Sequence, residues 1–192
     1  MFAPQTSYIH PRIDGETIRY FEWMGAAHYT ADRRAGAMHG KVFLLDSIYA
    51  GIDEKYVYGR LDFAELAAQG EFDIVVNLES WAENAMRARR ALRLDVAVHG
   101  SRIREWKLSQ DSEGLRPEDA AVVLGRTFEF KIPLSLLYAA PLKSSSPESP
   151  AASKIRLRFS VWQNRLPIDA LPVEGWMELK LLPENDLAAL ER

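Results

Sequence analysis

Histidines are the first residues to consider for chemistry, because imidazole can bind a metal or transfer a proton. The chain has four of them, His10, His28, His39 and His99. No two are four residues apart on a predicted helix, and no HExxH pattern occurs. A metal site, or a haem held between Met38 and His99 or between Met24 and His39, would therefore need convergence of separate segments. We interpret His28 and His39, in the glycine-containing stretch 20–40, as hydrogen-bonding residues of a structured loop that rims a binding groove.

Carboxylates are the next candidates, because Ca²⁺ prefers oxygen ligands contributed by turns. Asp14, Asp53 and Asp62 lie at predicted turns or strand ends. The alternative is that each simply forms its turn, as Asp commonly does. No GxSxG elbow occurs, and the absence of cysteine excludes disulfides and thiolate chemistry. We expect no catalytic residues and no cofactor, with Ca²⁺ left open.

Aromatic residues give the strongest pattern. In "RFSVW", Trp162 has the opposite strand parity to Phe159 and Val161, and Tyr58 likewise opposes Val57. An outward aromatic ring can stack on the apolar face of a sugar, with Arg60, Arg158 or Gln163 bonding to its hydroxyls. The alternative is that the 20–40 stretch covers these rings to form a second small core. Trp23 and Trp176 are assigned to core positions.

Period-two alternation dominates the chain and predicts half-buried strands. Turn signals such as Asp14-Gly15 and Glu113-Gly114 separate the alternating runs. Many strands with few helices predict an all-β, antiparallel β-sandwich of jelly-roll type. Helical turns are expected at 63–68, 133–139 and 184–192, and the stretch 20–40 is expected to begin as a strand through Trp23 and continue as a long loop. The predicted strands are "KVFLLDSIYAGID", "YVYGRLDF", "FDIVVNL", "LRLDVAVHG", "TFEFKIP", "KIRLRFSVW" and "WMELKLL".

The length of 192 residues predicts a single domain, 1–192. Residues 143–153, "KSSSPESPAAS", lack apolar bulk and are expected to form a mobile surface loop. The net charge of −3 argues against a nucleic-acid partner. No apolar run approaches a membrane span, and no signal peptide is recognised, so a cytoplasmic location is expected unless the chain is part of a longer exported protein.

Three segments carry a family resemblance: "IDGETIRYFEWMGAAHYTADRRAGAMHG", "YAGIDEKYVYGRLDF" and "LPIDALPVEGWMELKL". Together they resemble the C-terminal domain attached to many bacterial family 57 glycoside hydrolases. The "IDG…W" opening and the "D…YVY" strand also resemble family 9 carbohydrate-binding modules and their wider DOMON-like group. The resemblance spans nearly the whole chain, but the catalytic barrel of the family 57 enzymes is missing.

The resemblance implies a DOMON-like accessory sandwich whose ligand is an oligosaccharide or polysaccharide, foremost a glucan, and whose partner is a family 57 catalytic domain. Combined with strand parity, it gives a predicted ligand-binding set of Trp162, Tyr58, Arg60, Arg158, Trp81 and His39. The alternative function is a structural or dimerisation domain that supports a partner hydrolase without binding sugar. A haem or metal domain using Met38, His39 or His99 is a third hypothesis.

Overall fold

The structure, a computed structural model, describes residues 1–16, 20–31, 44–64, 70–82, 86–137 and 152–181. These residues form thirteen strands in two antiparallel sheets, which confirms the predicted all-β sandwich. The six-stranded sheet has the spatial order β1 (Phe2–Ala3), β2 (Ala27–Thr30), β3 (Leu45–Ile52), β4 (Tyr56–Phe63), β10 (Thr127–Pro133) and β9 (Ala121–Leu124).

The seven-stranded sheet is built around the two longest strands. Its spatial order is β12 (Leu166–Leu171), β11 (Ala152–Gln163), β5 (Glu71–Ala82), β6 (Arg90–His99), β7 (Arg102–Gln110) and β8 (Glu113–Leu115). The seventh strand, β13 (Met177–Lys180), pairs with the first half of β11, whereas β12 pairs with its second half. Two-residue turns, in which both central residues have positive φ, connect β7 to β8 and β11 to β12.

The inward faces of both sheets supply one main core. On β10, Phe128, Phe130 and Ile132 are almost fully buried in it, as the alternation predicts. Burying each side chain of this size contributes about 1.5–3 kcal/mol to folding. Gly59 on β4 makes room for this packing, because a Cβ built there would lie 2.3 Å from the Phe130 ring.

The prediction for the stretch 20–40 is wrong in two places. Tyr20–Trp23 forms a short 3₁₀ helix rather than a strand, and Ala27–Thr30 forms β2 rather than a loop. Trp23, the last residue of this 3₁₀ helix, is buried against the outer face of the six-stranded sheet. Residues 32–40 lie outside the described ranges.

The helical turn predicted at 133–139 is confirmed at Leu134–Leu136, which form a 3₁₀ helix, whereas Pro133 ends β10 and residues 138–139 lie outside the described ranges. Residues 65–68 of the turn predicted at 63–68, and the whole turn predicted at 184–192, lie outside the described ranges. The same holds for 143–151 of the loop predicted at 143–153, whose last two residues begin β11. Within the described ranges, no helix combines the length and apolar character that crossing a bilayer requires.

Candidate ligand-binding cleft

Trp162 lies at one end of the outer face of the seven-stranded sheet, beside an open cleft of about 240 Å³. The register across this face runs from Trp162 on β11 to Asp73 on β5, then to Ala97 on β6 and Glu105 on β7. The small Ala97 side chain leaves a depression between the Trp162 ring and β7. We call this feature the Trp162 cleft; its lining residues are Glu71, Phe72, Asp73, Ala97, Val98, His99, Arg104, Trp162, Gln163, Asn164 and Arg165.

Hydrogen bonds fix the orientation of the Trp162 ring. Its indole Nε1 donates to Ser160 Oγ at 3.0 Å, and the Ser160 hydroxyl donates to the Val75 carbonyl at 3.4 Å. The ring is half-buried, so part of its surface remains open to the solvent. A ring held in this way can stack on a ligand without first losing side-chain freedom.

Charged and amide groups surround the ring. His99 Nδ1 lies 3.0 Å from Glu71 Oε1, and Gln163 Nε2 donates to the Glu71 carbonyl at 3.5 Å. Asp73 makes no hydrogen bond or ion pair with any part of the chain that the structure describes. The cleft therefore combines one aromatic face with negatively charged carboxylates and positively charged guanidinium groups. Its volume is below the roughly 300–1,000 Å³ that encloses a drug-sized ligand, so it suits a single small ring or the end of a chain.

The structure does not bring Trp81 or Arg158 into this cleft, although both lie on the same sheet face. Trp81 on β5 pairs with Lys154, which lies eight residues before Trp162 on β11, or roughly 26 Å away. The Arg156 guanidinium covers the Trp81 ring at 4.4 Å, and the Trp81 indole donates to a carboxylate. Arg158 lies between the two tryptophans, opposite Asn77.

Tyr58 and Arg60 lie on the outer face of the other sheet, so they cannot share a site with Trp162. Their exposed fractions are 5% and 6%. The Tyr58 hydroxyl donates to Asp53 at 2.6 Å, and Arg60 donates to both carboxylate oxygens of Asp62 at 2.7 and 3.2 Å. Both polar groups are thus used within the fold, and the assignment of a common groove with Trp162 is corrected.

A second small core explains why Tyr58 is buried, as the alternative from the sequence predicted for this ring, whereas Trp162 is not part of that core. Trp23 belongs to it, as assigned, but its cover comes partly from the N-terminal segment 4–16, which the sequence did not assign this role. Trp176, also assigned to the core, is only half-buried. The small core consists of Ile9, Trp23, Ala26 and Tyr58, with Ile13, Tyr49 and Tyr56 packed against it.

Histidine roles are divided between the two faces. His28 is stacked on Tyr49, with ring centroids 4.2 Å apart, and its Nε2 lies 2.9 Å from the Thr30 hydroxyl. Burial lowers the pKa of His28, against the smaller opposing effect of Asp62. His99 lines the Trp162 cleft, a role that the sequence did not assign. His39 lies outside the described residues.

The calcium candidates do not meet in one place. In the described part of the chain, three metal-ligand atoms come within 4.8 Å of one another at His10, Asp53 and Glu54, a group that includes neither Asp14 nor Asp62. Asp14 Oδ1 accepts the backbone N–H of Glu16, as a turn former does. Asp53 already accepts two backbone N–H groups and the Tyr58 hydroxyl, so its carboxylate oxygens have little remaining capacity to bind a cation. Ca²⁺ would in any case need six to eight oxygen ligands in total.

In comparisons with known proteins, no family model, curated protein or solved structure matches the chain. The resemblance to the family 57 accessory domain therefore remains a prediction, and the candidate site depends on its own geometry.

Proposed function

We propose that the protein is a non-catalytic carbohydrate-binding module that holds a sugar ring or chain end in the Trp162 cleft. The observation that carries the proposal is the half-buried Trp162 ring, fixed by Ser160 and surrounded by carboxylate, amide and guanidinium groups. The C–H face of a pyranose is apolar, whereas its edge carries hydroxyls. The cleft offers a complementary surface to each. Association with an amylase-like hydrolase is the partner that the family resemblance implies.

The other outward aromatic groups support the choice of this cleft. The Trp81 ring is covered by Arg156, and Tyr58 is buried with its hydroxyl bonded to Asp53. A ligand at either position would have to displace an internal contact before binding. At Trp162 the polar groups around the ring include Asp73, which has no internal partner in the described residues. A ligand hydroxyl can therefore donate to Asp73 without breaking an internal contact.

Isothermal titration against maltooligosaccharides, cellooligosaccharides and xylooligosaccharides tests the proposal. For a saccharide that binds, Trp162→Ala should weaken affinity by at least about 2 kcal/mol, roughly 30-fold, as expected for the central aromatic residue of a binding site. Trp81→Ala is the matched control, because it removes an outward tryptophan from the same sheet face. It should leave affinity unchanged.

Equal losses in the two variants would mean that the cleft is not the site. If no saccharide binds and light scattering shows a stable oligomer, the alternative of a structural or dimerisation domain replaces the proposal.

The non-catalytic part of the proposal has its own test, because Glu71 and Asp73 place two carboxylates on one side of the cleft. They are two residues apart on β5, or roughly 7 Å, which is a separation that glycoside hydrolases also use. The saccharide should be recovered unchanged after prolonged incubation. New reducing ends that disappear in Asp73→Asn would show hydrolysis and contradict the proposal.

A further inference from the structure

Two arginines in the Trp162 cleft have no acidic partner among the described residues. Arg104 and Arg165 both line the cleft. By contrast, two other arginines on the same face are paired. Arg93 Nη2 lies 2.8 Å from Asp95 Oδ1, and Arg156 Nε lies 2.8 Å from Glu178 Oε1. Ion pairs of this kind thus occur on the same face, although Arg158, like the two arginines of the cleft, has no carboxylate partner among the described residues. In the cleft, two guanidinium groups remain available to a ligand.

The backbone is irregular at both arginines, and neither backbone conformation requires an arginine. Arg104 is the extra residue of a β-bulge, since Ala97 pairs with Glu105 while Val98 pairs with Ile103. Bulges re-aim side chains near binding sites. Arg165 has a φ of 63° at the second central position of the β11–β12 turn, where glycine is strongly preferred. An arginine at this position is therefore better explained by its side chain than by the turn.

The charge of the cleft also limits the ligand. Glu71 is hydrogen-bonded to His99 and Asp73 has no partner in the described chain, and both carboxylates would repel a densely charged anion. A guanidinium group binds a planar carboxylate through two parallel hydrogen bonds. A phosphate monoester carries about −1.5 to −2 charges at neutral pH, whereas a carboxylate carries one. One carboxylate per sugar ring is therefore better matched than a phosphate to a cleft that combines two arginines with two carboxylates.

We infer that the ligand of the Trp162 cleft is a carboxylate-bearing saccharide of the uronate class, held by Arg104 and Arg165 while its ring lies on Trp162. This inference rests on the proposed carbohydrate-binding function and specifies its ligand. It differs from the neutral glucan that the family resemblance implies. The hydroxyls of the same ring bond to Asp73 and to the side-chain amide of Gln163.

Matched pairs of saccharides test the inference by titration calorimetry. Oligoglucuronate, oligogalacturonate and oligomannuronate are each compared with their carboxyl-reduced forms, which differ only in the lost acid. At least one acidic form should bind at least about fivefold more tightly than its reduced partner, and added salt should diminish the difference. Arg104→Gln and Arg165→Gln should each weaken binding of the acidic form by roughly five- to tenfold and leave the reduced form unaffected.

Arg102→Gln is the matched control, because Arg102 is exposed on the same strand and does not line the cleft. This variant should leave the affinity for both the acidic and the reduced saccharides unchanged. Circular dichroism and Arg104→Lys, which retains the charge, separate a folding defect from a binding defect.

The outcomes distinguish this inference from the proposed function. If a neutral saccharide binds through Trp162 as tightly as the acidic ones, the uronate inference fails and the proposed function stands. Tighter binding of a sulfated saccharide would also overturn the uronate assignment. If no saccharide binds, or if binding is insensitive to Trp162→Ala, the proposed function fails and the inference fails with it.

Discussion

The Asp53 carboxylate connects three parts of the molecule, and Asp53→Ala should destabilise it severely. Oδ1 accepts the backbone N–H groups of Lys55 and Tyr56 at 2.7 and 2.6 Å, and Oδ2 accepts the Tyr58 hydroxyl at 2.6 Å. His10 of the N-terminal segment lies 3.2 Å from Oδ2. A hydrogen bond to a charged group contributes about 1.5–3 kcal/mol, and bonds that share one carboxylate are not additive, so we expect the free energy of unfolding to fall by about 3–4 kcal/mol.

Acidification should remove the part of this contribution that depends on the negative charge of the carboxylate. Burial alone would raise the pKa of Asp53, but the hydrogen bonds from Tyr58, Lys55, Tyr56 and His10 outweigh it and lower the pKa below its ordinary value. Because the folded-state pKa is the lower one, the stabilisation is fully present above the unfolded-state pKa of about 3.9 and is lost as pH falls through the folded value. The difference between wild type and Asp53→Ala should therefore be constant near neutrality and shrink only in strong acid.

Urea unfolding followed by tryptophan fluorescence measures these quantities. Asp95→Ala is the control, because it removes an exposed carboxylate that is paired with Arg93, and it should cost at most about 1 kcal/mol. A double-mutant cycle of Asp53→Ala with Tyr58→Phe should give a coupling energy of about 1 kcal/mol or more. If Asp53→Ala unfolds within 1 kcal/mol of wild type, the carboxylate does not connect these segments as argued.

Two further carboxylates give separate predictions. Asp169→Ala should lower the free energy of unfolding by about 2–3 kcal/mol, because Asp169 Oδ2 on β12 accepts the N–H groups of Leu44 and Leu45 at 2.9 and 3.0 Å and so connects the two sheets. Hydrogen exchange at these two amides should accelerate, and unchanged protection there would refute the connection. Burial raises the pKa of Glu129, although the Gly15 amide and other donors oppose it, so this group contributes more stability as pH falls through the folded-state pKa. Glu129→Gln lacks that gain, so the free energy of unfolding of the wild type minus that of the variant should be larger at about pH 4.5 than at pH 7. Urea unfolding at the two pH values measures this difference, and an equal difference at both would contradict the raised pKa.

The sequence predicted the strands best where the two faces of a strand differ in polarity. Thr127–Pro133 alternates without interruption, and its inward residues are buried as expected. Three strands of the seven-stranded sheet, β7, β8 and β12, were not predicted, and β8 contains the Glu113-Gly114 pair that was predicted to be a turn. β7 contains the bulge at Arg104, which breaks the period of two, and β12 contains Pro167 close to its start. Local irregularity of this kind hides a strand that tertiary pairing nevertheless stabilises.

The candidate site was predictable only in part, for a related reason. Parity correctly placed Trp162 and Tyr58 outward from the main core, because side-chain direction is a local property of a strand. It could not indicate that the two residues belong to different sheets, since strand order depends on long-range pairing. The same limitation hid Asp73 and Arg104, which reach the cleft from strands distant in the chain. The outward parity of Asp73 on β5 was visible, but its pairing with Trp162 was not.

The two outer faces of the sandwich show why availability, rather than residue type, identifies a binding group. Arg60 is buried with both oxygens of Asp62 as its partners, so a ligand there would have to compete with an existing bidentate pair. Arg104 and Arg165 have no such partner in the described residues, so they can bind an anion without breaking an internal ion pair. On the same face as Arg60, Ile9 and Ile13 of the N-terminal segment pack in the small core with Tyr58. Replacing Arg60 with Gln should therefore lower the free energy of unfolding, whereas Arg104→Gln or Arg165→Gln should lower only the affinity for the ligand.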